Sequence, residues 1–150
     1  MDSTNTLEGC FQLMGGDFTD AGAASSELKS ALTGIGVPQA IVRRAAIAAF
    51  EAEMNIIIHA VAGTLHYEVT SGRIHLHLAD MGPGIPDLEL AMKEGYSTAP
   101  DWVREMGWGA GMGLPNIKHN ADEFKLDSVM GEGTNLDIVI YIKEKGDAAS

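Results

Sequence analysis

Residues 64–70 read TLHYEVT and residues 73–80 read RIHLHLAD, with only Ser71-Gly72 between them. Each stretch alternates strictly between apolar and polar side chains, the two-residue period of a strand with one buried face. A two-residue Ser-Gly connection joins such strands as a tight antiparallel hairpin and leaves one register. In that register Glu68 lies opposite His75 and His66 opposite His77. Leu65, Tyr67 and Val69 then share one face with Ile74, Leu76 and Leu78. The hairpin therefore demands a sheet covered on one side only.

The rest of the chain supplies the cover. CFQLMGGDF reads as a short strand and a Gly-Gly turn. Thr19 is placed to cap a helix over about residues 20–34, with Leu28 and Leu32 one turn apart and Gly34 or Gly36 ending it. Pro38 then opens a long alanine-rich helix, PQAIVRRAAIAAFEAEMNIIIHAVAG, stopped by Gly63. After the hairpin, residues 81–111 are glycine-rich and irregular, with a short helical pattern in PDLELAMKEG. A connection of that length is unusual unless it has a function. A helix over about residues 113–121 follows. FKLDSVM and TNLDIVIYIK then form a second hairpin across Gly131-Glu132-Gly133, with Leu136, Ile138, Ile140 and Ile142 on one face. The expected fold class is α+β, a two-layer α/β sandwich with helices on one face of a mixed, mostly antiparallel sheet.

Length and charge narrow the partners. The 150 residues fit one domain, with 1–9 and 145–150 expected to fray. A formal net charge of −11 argues against nucleic acid or an anionic membrane as the main partner. The start, MDSTNTLEGC, lacks the basic and apolar regions of a signal peptide, and the lone Cys10 reads as a small strand hydrophobe in a reducing, cytoplasmic setting. A phosphate ligand stays open, because backbone N–H groups and a cation can hold phosphates without many lysines.

Three features carry chemistry. On the long helix Glu51, Asn55 and His59 recur every four residues, on one stripe, with Ala48 and Ala52 keeping that surface shallow. The same spacing also describes a plain solvated face. In DMGPGIPD, Asp80 ends an apolar strand before Gly82 and Gly84, a carboxylate beside backbone that a ligand can approach; a turn with a capping Asp has the same letters. In GWGAGMGLPNIKHN, glycines at 107, 109, 111 and 113 lead into a helix, whose unpaired N–H groups and positive dipole end suit an anion, although a hinge loop reads alike. It is not a P-loop, since no G-x-x-x-x-G-K-[ST] occurs. A fourth cluster, His66, Glu68, His75 and His77, is a polar sheet face in the hairpin register; imidazoles two apart on a strand can also chelate a metal.

In this order the features, with GEGTN at 131–135, resemble the GHKL (Bergerat-fold) ATP-binding superfamily over roughly residues 10–143. DMGPGIPDLELAMKEGYST and GMGLPNIKHNADEFKL look most like the bacterial anti-sigma-factor serine/threonine kinases of the stress-switch type. The resemblance implies an ATP- and Mg²⁺-dependent kinase in a partner-switching module. Glu51 would be the general base and Asn55 the Mg²⁺ ligand, with His59 next on the stripe. Asp80 would accept from the adenine amine beside Gly82, Gly84 and Ile85. Gly109, Gly111, Met112, Gly113 and Leu114 would form the phosphate lid, with Lys118 one turn further and Thr134 supporting the pocket through its hydroxyl. The implied partners are a STAS-type antagonist and a sigma factor, and a homodimer is allowed. An ATP-gated binding module with little catalysis and a slow stand-alone ATPase are the alternatives. Two departures stand out: APDWVREMGW, with Trp102, Arg104, Met106 and Trp108, lengthens the lid, and Met54 stands where the relatives carry a polar residue.

Overall fold

The computed structural model describes residues 7–82, 84, 92 and 113–142. The element order is β1 (Leu7–Met14), α1 (Ala23–Gly34), α2 (Gln39–His59), β2 (Ala62–Val69), β3 (Arg73–Met81), α3 (Gly113–Asn120), β4 (Glu123–Val129) and β5 (Gly133–Tyr141). The strands form one sheet in the order β1-β2-β3-β5-β4. All four pairings are antiparallel, so the described sheet has no parallel member of the kind a mixed sheet allows. The α+β architecture is otherwise as expected. No helix among the described residues is long and apolar enough to cross a membrane.

The first hairpin keeps the register its alternation dictates: Glu68 pairs with His75 and His66 with His77. Leu65, Tyr67, Val69, Ile74, Leu76 and Leu78 are all buried. From α1, Leu28 and Leu32 enter the same core; α2 adds Val42, Ala45 and Ile56, and α3 adds Ile117. Each buried aliphatic side chain of this size contributes about 1.5–3 kcal/mol relative to exposure.

Several boundaries differ from the local reading, and those at β1 and at the end of α2 have a tertiary cause. Residues 7–9 are strand rather than a frayed end, because Leu7, Glu8 and Gly9 pair with Val69, Glu68 and Tyr67. Pro38 is the residue before α2 rather than its first helical one. Helix α2 stops at His59, not Gly63. Val61 N–H already donates to the Met81 carbonyl, and Gly15 N–H to the Val61 carbonyl, so sheet pairing takes the chain before another helical turn forms. Gly63 is an inner residue of β2, where a Cβ would meet the Ala79 carbonyl at 2.8 Å. Gly36, at φ +87°, rather than Gly34, turns the chain after α1.

Helix α1 starts at Ala23, and Thr19 does not cap it. Its cap comes from α2: the Glu53 carboxylate, 1% exposed, accepts from the N–H groups of Gly22 (3.0 Å), Ala24 (3.3 Å) and Ser25 (3.1 Å). Three orphan donors of a helix N-terminus are thus satisfied by one buried anion, which the dipole also favours.

The open face of the sheet is polar. His75 Nε2 and His77 Nδ1 lie 2.9 and 2.8 Å from the same Asp137 oxygen. No group of three or more His, Cys, Asp or Glu among the described residues is arranged to hold a metal ion, and His66 faces Glu8 at 3.5 Å instead. Cys10 is exposed, on β1 opposite His66. Partial burial pushes the Asp137 carboxyl up, but the hydrogen bonds and charges of His77 and His75 outweigh it and leave its pKa below the ordinary carboxylate range. A lowered folded-state pKa means stability that is present above the unfolded-state value and lost as pH falls through the folded one. In urea titrations Asp137→Asn should therefore cost stability at neutral pH, and the difference from the parent should shrink at acid pH.

Candidate functional site

The stripe on α2 is not a solvated face. Ala48 and Ala52 are buried, and Glu51 and Asn55 are half-buried beside α3. The small side chains let α3 approach closely. A Cβ placed on Gly113 would stand 3.3 Å from Asn55 Oδ1 and 3.6 Å from Glu51 Oε1. Glycine there keeps the space between α3's first residue and both side chains clear. One turn on, Asn116 Nδ2 donates to Glu51 Oε2 at 3.2 Å. A carboxylate, an amide oxygen and a helix N-terminus therefore converge at one place. This donor set fits a phosphate–Mg²⁺ group: Asn55 offers a hard oxygen ligand, and the first N–H groups of α3 suit anionic oxygens.

Asp80 anchors the other end. It is half-buried near the end of β3 on the helix-facing side, the side shared by Ile74, Leu76 and Leu78. Thr134 N–H donates to Asp80 Oδ1 at 3.1 Å, which fixes the carboxyl. Desolvation by burial raises the Asp80 pKa, and the Thr134 N–H offsets this only in part. The Thr134 hydroxyl lies 3.0 Å from Ser128 Oγ, and the backbone N–H of Thr134 is the group that engages Asp80. Gly133, at φ +151°, makes this possible, since a Cβ there would fall 1.9 Å from the Asp80 carbonyl oxygen. Gly82 N–H donates to the Glu132 carbonyl at 3.2 Å, and Gly84 sits at φ +82° against Val129 and Met130, so the second hairpin's turn backs the G-x-G segment.

The remaining expected residues divide. His59 ends α2 and is exposed at its surface, although the protein packed around it lowers its pKa by desolvation. Leu114 is buried and Lys118 is exposed on α3. Met54 is buried in the helix layer. Ile85, Gly109, Gly111 and Met112 lie outside the described residues, as do Trp102, Arg104, Met106 and Trp108. Residues missed at the level of sequence are Asn116 and Ser128, and Gly133 was read only within the GEGTN motif. Asn116 was legible, since it lies three residues after Gly113 and hence on the same face of α3; the other two depend on how the second hairpin meets β3.

The profile of the histidine kinase-like ATPase domain matches residues 17–140. The serine/threonine-protein kinase RsbT of Bacillus subtilis is 35% identical over 97 residues, covering 62% of this chain and 67% of the relative. The anti-sigma F factor of Pasteuria penetrans is 29% identical over 59% of this chain and 61% of its own. That of Priestia megaterium is 33% identical over 63% of each. The chain thus spans between three fifths and two thirds of the length of these relatives.

Proposed function

This chain belongs to the histidine kinase-like ATPase domain family, and we propose that it is an ATP- and Mg²⁺-dependent serine/threonine protein kinase of a bacterial partner-switching module. The observation that carries the reading is the convergence of Glu51, Asn55 and the N-terminus of α3 at Gly113. Phosphoryl transfer asks a protein mainly for positioning and charge compensation, and these groups offer both. In this reading Glu51 accepts the proton of the attacking serine or threonine hydroxyl, held in orientation by Asn116. Asn55 holds Mg²⁺ through its amide oxygen, and the metal when bound neutralises phosphate charge. Asp80 Oδ2 accepts from the adenine amine, and Gly82, Gly84 and Ile85 border the base. Gly109, Gly111, Met112 and Gly113 enclose the phosphates, and Lys118 lies one turn beyond.

The relatives named as a serine/threonine-protein kinase and an anti-sigma F factor support a protein hydroxyl as phosphoacceptor and a sigma factor as partner; a STAS-type antagonist as that acceptor, and a cytoplasmic setting, rest on the resemblance of the motifs. Incubation with labelled ATP, Mg²⁺ and STAS-domain proteins recovered by co-purification should yield phosphoserine or phosphothreonine. ATP binding without transfer to any of them would favour the binding-module reading.

Asp80→Asn tests the adenine end. The amide keeps an oxygen for Thr134 N–H but presents an NH₂ where the adenine amine needs an acceptor. Loss of a hydrogen bond to a charged group costs about 1.5–3 kcal/mol, or roughly 10–150-fold in Kd. Calorimetric titration with ATP should show that loss with little change in Tm, and an unchanged ATP affinity would refute the assignment. In the parent, ATP affinity should fall with acidification sooner than for an ordinary carboxylate, because the Asp80 pKa is raised.

A further inference from the structure

Five of the seven large apolar side chains exposed among the described residues gather at one end of the sheet: Met14, Val61, Met81, Val129 and Met130, between 52% and 68% exposed. The strand register explains the grouping. Met14 pairs with Ala62, and Ala62 with Met81. Gly133 lies against the Asp80 carbonyl and pairs with Val129. The outermost cross-strand row of the open face is therefore Met14–Ala62–Met81–Gly133–Val129, with Val61 and Met130 at its margin. The next row, Gln12–Thr64–Ala79–Asn135–Asp127, holds no cation. Only further in does Lys125 appear, 3.9 Å from Asp127.

The margins of the row are acidic. Glu132 follows the β4 end, and Asp17, whose N–H donates to the Met14 carbonyl, follows the β1 end. At the β1 edge, between β1 and the helices, a cavity of about 260 Å³ runs from Leu13, Ala24 and Ile57 out to Met14, Asp17, Asp20 and Glu27. At the strand spacing of a sheet the row is roughly 19 Å long, the length of about 13 residues of α-helix. Ala62 and Gly133 leave depressions between the ridges of Met14, Met81 and Val129. Methionine is the residue best able to repack against a partner's side chains.

We propose that this row is a docking surface for an amphipathic helix of a partner protein whose apolar stripe is flanked by lysine and arginine. The apolar side chains rest on Met14, Met81 and Val129, and one flanking cation enters the acid-lined cavity beside Met14. Charge selects this occupant: a second copy of a chain of net charge −11 brings like charge to an acidic margin, and an anionic lipid surface does the same. The surface is distinct from Glu51, Asn55 and Asp80, so it does not depend on the nucleotide reading.

The test uses the full chain and fluorescence anisotropy with a labelled leucine/lysine amphipathic peptide of about 14 residues, at about 150 mM salt. A leucine/glutamate peptide is the control. Saturable binding of the basic peptide alone is expected. The pair Met14→Lys with Met130→Lys should weaken it about tenfold or more, and the uncharged pair Met14→Gln with Met130→Gln should weaken it in the same direction. Glu68→Lys, at the far end of the open face, changes net charge by as much as the lysine pair and should have no comparable effect. ATP binding, measured in parallel, should be unchanged in Met14→Lys alone and in Glu68→Lys. Absence of saturation, equal binding of the acidic peptide, or equal weakening by Glu68→Lys would overturn the proposal. So would a concentration-dependent dimer in light scattering that the methionine substitutions abolish, since the occupant would then be a second copy.

Discussion

Glu51→Gln is expected to lower phosphoryl transfer by about 10²–10⁴-fold, the range for loss of a positioned general base. ATP affinity is expected to stay within about threefold of the parent, because the interaction lost is one made in the transition state. The substitution is close to isosteric. Asn116 Nδ2 donates to Glu51 Oε2, and a glutamine at 51 still offers an oxygen to that donor. The packing of α3 on α2 should therefore survive, and a change in Tm would point to a structural role instead. Transfer is read with labelled ATP and the phosphoacceptor, and affinity by calorimetry. Partner regulation that persists in the variant would favour the ATP-gated binding module, and full transfer activity would refute Glu51 as base.

The second large effect falls on stability. Glu53→Ala removes the acceptor of three backbone N–H groups at the start of α1 and leaves a gap beneath them. An orphaned buried donor costs about 1–3 kcal/mol, and water from the neighbouring cavity, which Glu53 also lines, can satisfy part of the deficit. The expected loss is about 2–4 kcal/mol, a fall in Tm on the order of 10 °C for a chain of this size. Glu53→Gln retains one acceptor oxygen and should lose less than half as much. Thermal and urea denaturation of the pair would check this; equal losses in the two would mean that the full carboxylate, with its charge and both acceptor oxygens, is what Glu53 supplies, and no loss in Glu53→Gln beside the full loss in Glu53→Ala would mean that its volume is. Glu53 stands two residues from Glu51 on the same helix, yet its carboxylate serves α1 while that of Glu51 serves α3. A helix places such neighbours about 200° apart, so one strip of sequence serves two layers of contacts.

That contrast shows what could be read in one dimension. Whatever depends on local period or turn chemistry was legible. The Ser71-Gly72 hairpin keeps its predicted register, the core faces of β2 and β3 are those of the alternation, and Glu51 and Asn55 share a stripe because four residues make about one turn. Where a long-range partner competes with local preference, the reading failed. Thr19 is a good capping residue that caps nothing in α1, because a carboxylate 31 residues from Gly22 reaches its N–H first. Gly63 resembles a helix stop, yet pairing with Met81 had already taken the chain into the sheet.

By itself, then, the sequence determined the secondary elements, the buried faces and the chemical types at the site. These follow from backbone geometry repeated over a few residues. Only the tertiary structure decided that Gly113 meets Glu51 and Asn55, that the Thr134 amide rather than its hydroxyl holds Asp80, and that Met14, Met81 and Val129 form one row. Each of these joins residues more than 50 apart in the chain or set on different strands. The closure of such contacts depends on the packing of whole elements, and no local period encodes it.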